Sequence, residues 1–431
     1  MDEETKKPHL VILPRPEGES EPEEEPEAPE PAPEEPEEEP EAPEGEPQEQ
    51  EEEPEEPEDD ARPNRLHRVT ATVFTIILVI LAALVFIFRD RLTGENLRDT
   101  FGILPAQQVT AREDFTYDVG SGQTFAAAGN GLAVATGSSL QLMNAAGRTA
   151  FKQVVSYTEP AVFATESKAL FCDLGGTGCV TARLDGTSAA LTAKGALQSA
   201  DMNENGWIAL TTDATGYKGL VSVYDDEGAE RYEYWSGAGY VLKAAVSPDN
   251  RSLAVLCAES GGGKLHIFRL DSANEHASYA IENALPFDFC FMGNDRLCLI
   301  GTEELRFVST EGEEAGAFDL GDYYLVDYDL NGQGFIALYV SAYRAGGGGL
   351  LETVDRDGKL LAYADLERDA LALSASGRRL LVMTGGGLTV YDQNLKELYH
   401  SDALMTAKDA LLRADGAILL LGSFSAQKIS Y

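Results

Sequence analysis

The chain has 431 residues and a formal net charge of −40, and most of that charge lies at one end. Residues 1–60 hold 28 Asp and Glu against three basic residues, together with 14 of the 19 prolines and no aromatic residue. Such a segment cannot bury enough apolar surface to offset the entropy of ordering, so we predict a disordered tail over residues 1–68. The acidity argues against nucleic acid or anionic lipid as a partner.

One apolar island interrupts the acidic tail and runs from His9 to Pro14. A short extended segment of this kind can add a strand to the sheet of a partner. The simpler interpretation, which we favour from the sequence, is an apolar stretch without a role.

A long uncharged segment follows the tail, from Val69 to Phe88. Its 20 residues cover roughly 30 Å as a helix, which is the hydrocarbon thickness of a bilayer. The segment shows no polar face, and it starts too late and runs too long for a cleavable signal peptide. We therefore predict a single transmembrane helix over residues 69–88 and a juxtamembrane linker over residues 89–113.

The orientation of this helix is not decided by the flanking charges, because three arginines precede it and three follow it: Arg62, Arg65, Arg68, Arg89, Arg91 and Arg98. A single internal span before a large domain is typical of a signal anchor. That layout favours a cell-membrane protein with a cytoplasmic N-terminus and an extracytoplasmic C-terminal domain. The reverse orientation stays open.

Eight similar repeats fill the rest of the chain. In each, a turn rich in Gly, Asn, Asp or Ser leads into a short apolar strand, and the strands begin near Leu132, Ala169, Trp207, Leu253, Leu297, Phe335, Leu380 and Ala417. The steps of 37 to 46 residues predict an all-β, eight-bladed β-propeller over residues 114–431, with seven blades as the alternative. The last repeat lacks one strand, and Asp114–Val119 is the segment that would complete it and close the ring.

Two segments carry a resemblance to known repeats: Val246–Ala254, which reads VSPDNRSLA, and Leu373–Leu381, which reads LSASGRRLL. Both resemble the repeat shared by WD40-like and TolB-like propellers. The whole chain resembles uncharacterised single-pass, membrane-anchored propeller proteins of Gram-positive bacteria. The resemblance implies a fold and names no activity, and the WD dipeptide itself is absent from the sequence.

A search for catalytic patterns gives no site. The propeller region has three histidines without metal-ligand spacing, and the sequence contains no P-loop or nucleophile elbow, so we predict no metal, no cofactor and no catalytic residue. We favour a binding or scaffold module that recognises a protein or a cell-envelope glycan. The alternative is a glycosidase-type enzyme that uses carboxylates in the central funnel.

The three long repeats suggest where binding takes place. We predict that their extra residues lie in the connection between the second and third strands, at Thr212–Gly219, Ala258–Lys264 and Ser341–Gly349. Loops held by a rigid scaffold often carry binding residues, so Tyr217, Lys218, Tyr343 and Arg344 are the candidate binding rim. Random variation in loop length explains the same lengths equally well.

Four of the five cysteines form possible disulfides. A turn at Gly175-Gly176 would place Cys172 opposite Cys179, and a turn at 293–295 would place Cys290 opposite Cys298. Opposed strand residues lie within the range that a disulfide tolerates. Buried cysteines that act as small apolar residues are the alternative for either pair.

Overall fold

The structure is a computed structural model that describes residues 9–12 and 112–431, with gaps at 283, 345 and 403–406. The rest of the predicted tail, the predicted membrane span at 69–88 and nearly all of the linker lie outside the described residues. In the described part of the chain, no helix has the length and apolar character that a membrane crossing requires.

The described residues form eight antiparallel sheets of one β-propeller, as the repeat spacing predicts. Each blade is a meander of four strands, and the first strands of neighbouring blades contact one another around the centre of the ring. Blade one comprises Thr124–Ala128, Gly131–Ala135, Ser139–Met143 and Thr149–Val154. Blade two comprises Pro160–Ala164, Lys168–Asp173, Gly178–Arg183 and Ser188–Thr192. Blade three comprises Leu197–Met202, Ile208–Thr212, Gly219–Tyr224 and Glu230–Ser236.

The next four blades repeat the same order. Blade four comprises Tyr240–Val246, Ser252–Glu259, Gly262–Arg269 and Glu275–Glu282. Blade five comprises Asp288–Phe291, Arg296–Ile300, Glu304–Ser309 and Glu314–Asp319. Blade six comprises Tyr324–Asp329, Phe335–Ser341, Gly349–Asp355 and Leu360–Leu366. Blade seven comprises Ala370–Ser376, Arg379–Thr384, Gly387–Asp392 and Glu397–Ser401.

Blade eight is built from both ends of the propeller. Asp409–Leu412, Ile418–Leu421 and Ser425–Ile429 supply three strands, and Arg112–Thr116 pairs with the last of them as the fourth. The predicted closure of the ring is therefore confirmed, and the closing strand begins two residues before Asp114. Closure by strand pairing leaves no open edge between the first and last blades.

Eight apolar clusters hold the ring together, and each lies between two neighbouring blades. The second strands supply much of this core because both of their faces are covered; Phe335–Ser341, for example, is buried at every position. A strand that is buried on both faces has a continuous apolar sequence, without the alternation of apolar and polar residues seen in half-buried strands. That property is what makes the second strand of each repeat visible in the sequence.

One predicted loop is wrong. Ala258–Lys264 is not an extra loop in blade four, because the strands Ser252–Glu259 and Gly262–Arg269 continue through it and leave only a turn at residues 260–261. Gly261 adopts a φ of 99°, a left-handed conformation that glycine tolerates and that closes the hairpin tightly. The extra length of this repeat lengthens the hairpin and adds no loop.

Blade three has a fifth strand. His9–Ile12, the apolar island of the tail, lies antiparallel beside the outer strand Glu230–Ser236, with His9 opposite Trp235 and Ile12 opposite Tyr232. The apolar island therefore forms a strand, which the interpretation as a stretch without a role did not predict.

Candidate functional site

The two faces of the ring differ in which connections they carry. In an antiparallel meander, the connections between second and third strands share one end of the blade with the links to the next blade. We call this end the upper face. The lower face carries the connections between first and second strands and between third and fourth strands.

The upper face gathers the exposed large apolar side chains. Of fourteen in the described residues, eleven lie in its connections or in the strand residues beside them: Val119, Val154, Tyr240, Leu285, Phe287, Tyr323, Tyr324, Val326, Tyr343, Leu371 and Phe424. The other three lie on the outer strand of blade six: Leu360 and Leu361 at its start, beside a lower-face connection, and Tyr363 further along the strand. By the same criterion the upper face carries eleven of these side chains and the lower face two, so the upper face is the more apolar of the two.

Tyr217 and Lys218 lie in the loop of residues 213–218 on blade three, as predicted. The Lys218 Nζ atom lies 4.5 Å from the centroid of the Tyr240 ring, on the neighbouring blade, and donates a 3.2 Å hydrogen bond to the Tyr240 hydroxyl. The Tyr217 ring lies 5.0 Å from the ring of Trp235. A cation above an aromatic face stabilises such an arrangement by about 0.5–1 kcal/mol at an exposed site.

Tyr343 and Arg344 lie in the loop of residues 342–348 on blade six. Tyr343 is 70% exposed, and the Arg344 guanidinium carbon lies 4.8 Å from the centroid of the Tyr324 ring. The four candidate residues therefore form two separate patches. Three further exposed side chains extend the surface into an arc from one patch towards the other. Leu285 and Phe287 lie on the link between blades four and five, and Tyr323 lies on the link between blades five and six.

Asp369 fixes the loop that carries Tyr343. Its carboxylate accepts hydrogen bonds from the N–H groups of Gly347 and Gly348, at 2.9 and 3.1 Å, and from the Tyr339 hydroxyl at 2.9 Å. The hydrogen bonds from the two glycine N–H groups, then the one from Tyr339, hold the pKa of Asp369 below its ordinary value. Asp369 could not be singled out from the sequence, because an aspartate in a link between blades resembles any other turn residue.

The centre of the ring is lined by charged side chains. Four of them occupy equivalent positions in the first strands of their blades. Each lies opposite a residue of the second strand of the same blade: Lys243 opposite Leu256, Asp288 opposite Ile300, Asp327 opposite Tyr339, and Asp409 opposite Leu421. Three of the blades have an aspartate at this position, so an alignment of the repeats with one another could have identified it from the sequence.

Lys243 joins three blades. Its Nζ atom lies 2.7 Å from Asp288 of blade five and 3.9 Å from Asp201 of blade three. Burial alone would lower the pKa of Lys243, but the two carboxylates more than offset it, and the pKa lies above its ordinary value. The Tyr328 hydroxyl donates a 2.8 Å hydrogen bond to the second oxygen of Asp288.

The other acids of the described first strands are Asp327, Asp329 and Asp409. Burial raises the pKa of Asp327 and of Asp409, and the negative charge of Asp409 adds to the rise at Asp327. Burial also raises the pKa of Asp329 to about 6. Across the described ranges, no three His, Cys, Asp or Glu residues are placed together to hold a metal ion.

The register places the cysteines as predicted, with Cys172 opposite Cys179 and Cys290 opposite Cys298. All five cysteines are free thiols in the structure, and the Sγ atoms of Cys172 and Cys179 lie 2.7 Å apart. Disulfide formation stays a prediction for both pairs.

The closed ring of eight meanders defines an eight-bladed, WD40-like β-propeller. The chain belongs to the family described as Family of unknown function (DUF5711), whose model matches residues 107–413. No curated protein matches the chain.

Three solved structures illustrate how far the likeness extends. The C-terminal WD40 domain of Sif2 has a TM-score of 0.53 and 12% identity, over 74% of this chain and 98% of that domain. BamB from Moraxella catarrhalis has a TM-score of 0.48 and 10% identity, over 76% of this chain and all of BamB. Hsv2 from Kluyvelomyces marxianus has a TM-score of 0.47 and 12% identity, over 65% and 98% of the two chains. These likenesses concern the fold alone.

Proposed function

We propose that the protein is a membrane-anchored binding module whose upper face recognises a protein partner. The observation that carries the proposal is the gathering of exposed large apolar side chains on that face. Soluble domains usually scatter such side chains singly, whereas a concentration of them is typical of an interaction surface. Tyrosine, present in both patches of the arc, and arginine, present in the patch on blade six, are also residue types enriched at binding hot spots.

The location is part of the same proposal. A helix over residues 69–88 would anchor the protein in the cell membrane, with residues 1–68 in the cytoplasm and the propeller outside it. A partner would then be a protein of the cell envelope, and an envelope glycan is the other ligand class. The exposed tyrosine rings suit both, because each offers an apolar face and a polar hydroxyl.

The test compares two tyrosines of similar exposure. Tyr343 on the upper face is 70% exposed, and Tyr363 on the outer strand of blade six is 64% exposed. Cross-linking and pull-down from intact membranes should recover a specific partner with the wild-type protein and with Tyr363→Ala. Tyr343→Ala combined with Tyr240→Ala should reduce that recovery by about tenfold or more, as hot-spot truncation does. Equal recovery from all variants would contradict the proposal.

The orientation has its own test. Protease added to intact cells should degrade the propeller while leaving the acidic tail intact, if the propeller lies outside the cytoplasm. A propeller that survives until the cells are lysed would reverse the orientation. This result would leave the binding surface unaffected, since the upper face exists in either compartment.

A second candidate function is a hydrolase that acts on glycans with carboxylates at the centre of the ring. The observation that favours it is the set of three first-strand carboxylates, Asp327, Asp329 and Asp409, because burial raises the pKa of each and so favours the protonated form that a general acid needs. Turnover of an envelope glycan that is lost in Asp327→Asn and Asp409→Asn, and kept in Tyr343→Ala, would favour the hydrolase over the binding module.

A further inference from the structure

The outer strand of blade three, Glu230–Ser236, differs from every other outer strand. Four of its residues are buried: Tyr232, Glu233, Tyr234 and Ser236. Each of the other outer strands has no more than one buried residue among those described. An outer strand is normally the most solvated part of a blade, so this one is held in place by unusual contacts.

Both faces of the strand are held. Tyr232 and Tyr234 project into the apolar cluster between blades three and four, where the Tyr234 and Phe268 rings lie 4.7 Å apart. On the opposite face, Lys194 forms ion pairs with both Glu230 and Glu233. These contacts fix the strand in an extended conformation and so prepare its free edge for pairing.

The direction of the backbone groups identifies that edge. The Ser236 carbonyl accepts a 2.8 Å hydrogen bond from the N–H of Lys218, so the backbone groups of Ser236 face the third strand of the blade. Backbone groups alternate in direction along a strand, so those of Glu233 and Trp235 face outwards. Val11 and His9 lie opposite these two residues.

We propose that the outer edge of blade three is a strand-acceptor site for an extended, uncharged, apolar segment of a partner protein on the propeller's side of the membrane. The chemistry of the ligand follows from the segment that occupies the edge in the structure, His9–Ile12, which belongs to an uncharged run bounded by Pro8 and Pro14. Strand addition gives affinity through main-chain hydrogen bonds, and the side chains add selectivity.

Two arguments favour a partner's segment over the chain's own. The inference rests on the proposed membrane anchor, and a chain that crosses the membrane once separates residues 9–12 from blade three. In addition, residues 1–60 carry 28 acidic side chains, and Glu230 and Glu233 at the edge strand share the single cation of Lys194, which leaves a net negative charge there. Like charges disfavour docking of this tail, whereas a partner's segment without acidic flanks avoids the repulsion.

The experiment uses labelled peptides with the sequence of residues 8–14 and the full chain in lipid nanodiscs. In the full chain, the substitutions Leu10→Gly, Val11→Ser and Ile12→Gly first prevent residues 9–12 from competing with the peptide. The unmodified peptide should bind saturably. N-methylation at Val11 removes an N–H that faces the blade and should weaken binding by about tenfold or more, whereas N-methylation at Leu10 should change it by less than about twofold. Equal binding of the two methylated peptides would overturn strand addition.

Variants of the propeller provide the matching test from the other side. Glu233→Pro removes an outward N–H and should abolish peptide binding, since proline is compatible with an edge position but cannot donate. Glu233→Gln removes the charge, keeps the N–H and should bind the peptide as before. Loss of binding in Glu233→Gln would show that the carboxylate is the determinant and would overturn the proposal.

A final comparison identifies the occupant. The chain with its own segment intact, in sealed vesicles with the propeller outside, should bind the peptide within about twofold of the variant that lacks the segment. Binding that is about tenfold weaker would show that residues 9–12 occupy the edge, which overturns the assignment to a partner. Tyr343→Ala, on the upper face, should leave peptide binding unchanged, so the strand-acceptor site and the proposed function fail separately.

Discussion

The hydroxyl of Tyr117 donates a 2.9 Å hydrogen bond to the carbonyl of Gly422, which lies 305 positions later in the chain. The N–H of Tyr117 bonds the carbonyl of Phe424 at 3.0 Å. The ring of Tyr117 is buried in the apolar cluster between blades eight and one. One residue thus joins the first and last parts of the propeller in addition to the strand pairing that closes it.

Truncation of Tyr117 should therefore weaken ring closure. Tyr117→Phe removes only the hydroxyl and should lower the free energy of unfolding by about 1 kcal/mol. Tyr117→Ala also leaves a cavity and should lower it by about 3–5 kcal/mol. Urea unfolding of the full chain, followed by tryptophan fluorescence, measures both. The control is Tyr363→Phe at an exposed site, and equal stability of Tyr117→Ala and wild type would contradict the proposed role.

Lys243 should contribute more to the free energy of unfolding than a surface lysine does, because its loss leaves Asp201 and Asp288 without their cation. Lys243→Met is expected to lower the free energy of unfolding by roughly 2–4 kcal/mol. The control is Lys152→Met. Lys152 pairs with Asp118 at 2.7 Å, both side chains are more than 40% exposed, and the loss should be below about 1 kcal/mol. Adding Asp288→Asn to Lys243→Met should recover part of the loss, and a purely additive effect would contradict the pairing.

Asp329 gives the stability a defined pH dependence. Its pKa rises on folding from 3.8 to about 6, so the folded protein binds this proton more tightly than the unfolded chain does. The free energy of unfolding should therefore fall as the pH rises from about 4 to about 6, by up to about 3 kcal/mol. Below pH 4 both states hold the proton, and this contribution is fully present.

Asp329→Asn tests this assignment because the amide resembles the protonated acid. Its oxygen can still accept the 2.6 Å hydrogen bond that Asp329 receives from the N–H of Asn331. The variant should show a smaller decrease in stability between pH 4 and pH 6 and should exceed wild type at pH 7. Asp185→Asn is the control, because hydrogen bonds from Thr187 hold the pKa of Asp185 low. An unchanged pH profile in Asp329→Asn would assign the titration to another group.

The fold was predictable because each repeat contains a second strand that is buried on both faces. Runs such as Leu253–Cys257 are therefore apolar throughout, and their spacing reveals the blade period. The closing strand was predictable because the eighth repeat lacked one. The length of Ala258–Lys264 did not predict its conformation, since a glycine-rich segment fits a tight hairpin as well as a loop.

The candidate site was less predictable for a geometrical reason. Tyr217 and Tyr343 could be placed on the upper face from loop lengths, but Tyr240 and Tyr324 are the first residues of strands, and only the structure reveals that they are exposed. Likewise, the pairing of Lys243 with Asp201 and Asp288 joins three consecutive blades through side chains that lie 42 and 45 positions apart in the chain. A period along the chain predicts neighbouring blades, but it does not predict which side chains meet between them.

The cysteines provide the last prediction. Because burial raises the pKa of Cys172 well above its ordinary value, the reactive thiolate is scarce in the folded protein, and direct oxidation should be slow. Refolding with oxidised and reduced glutathione should instead form the Cys172–Cys179 and Cys290–Cys298 disulfides, leaving Cys257 as the one cysteine that reacts with an alkylating agent after denaturation. Peptide mapping measures the pairing.

The short loop between Cys172 and Cys179 should make that disulfide stabilise the propeller by about 2 kcal/mol relative to the reduced protein. Cys257→Ser is the control and should leave both pairs intact. The prediction is wrong if all five thiols remain alkylatable after oxidative refolding. In that case, the two opposed pairs serve as small apolar residues of the interblade clusters that contain them.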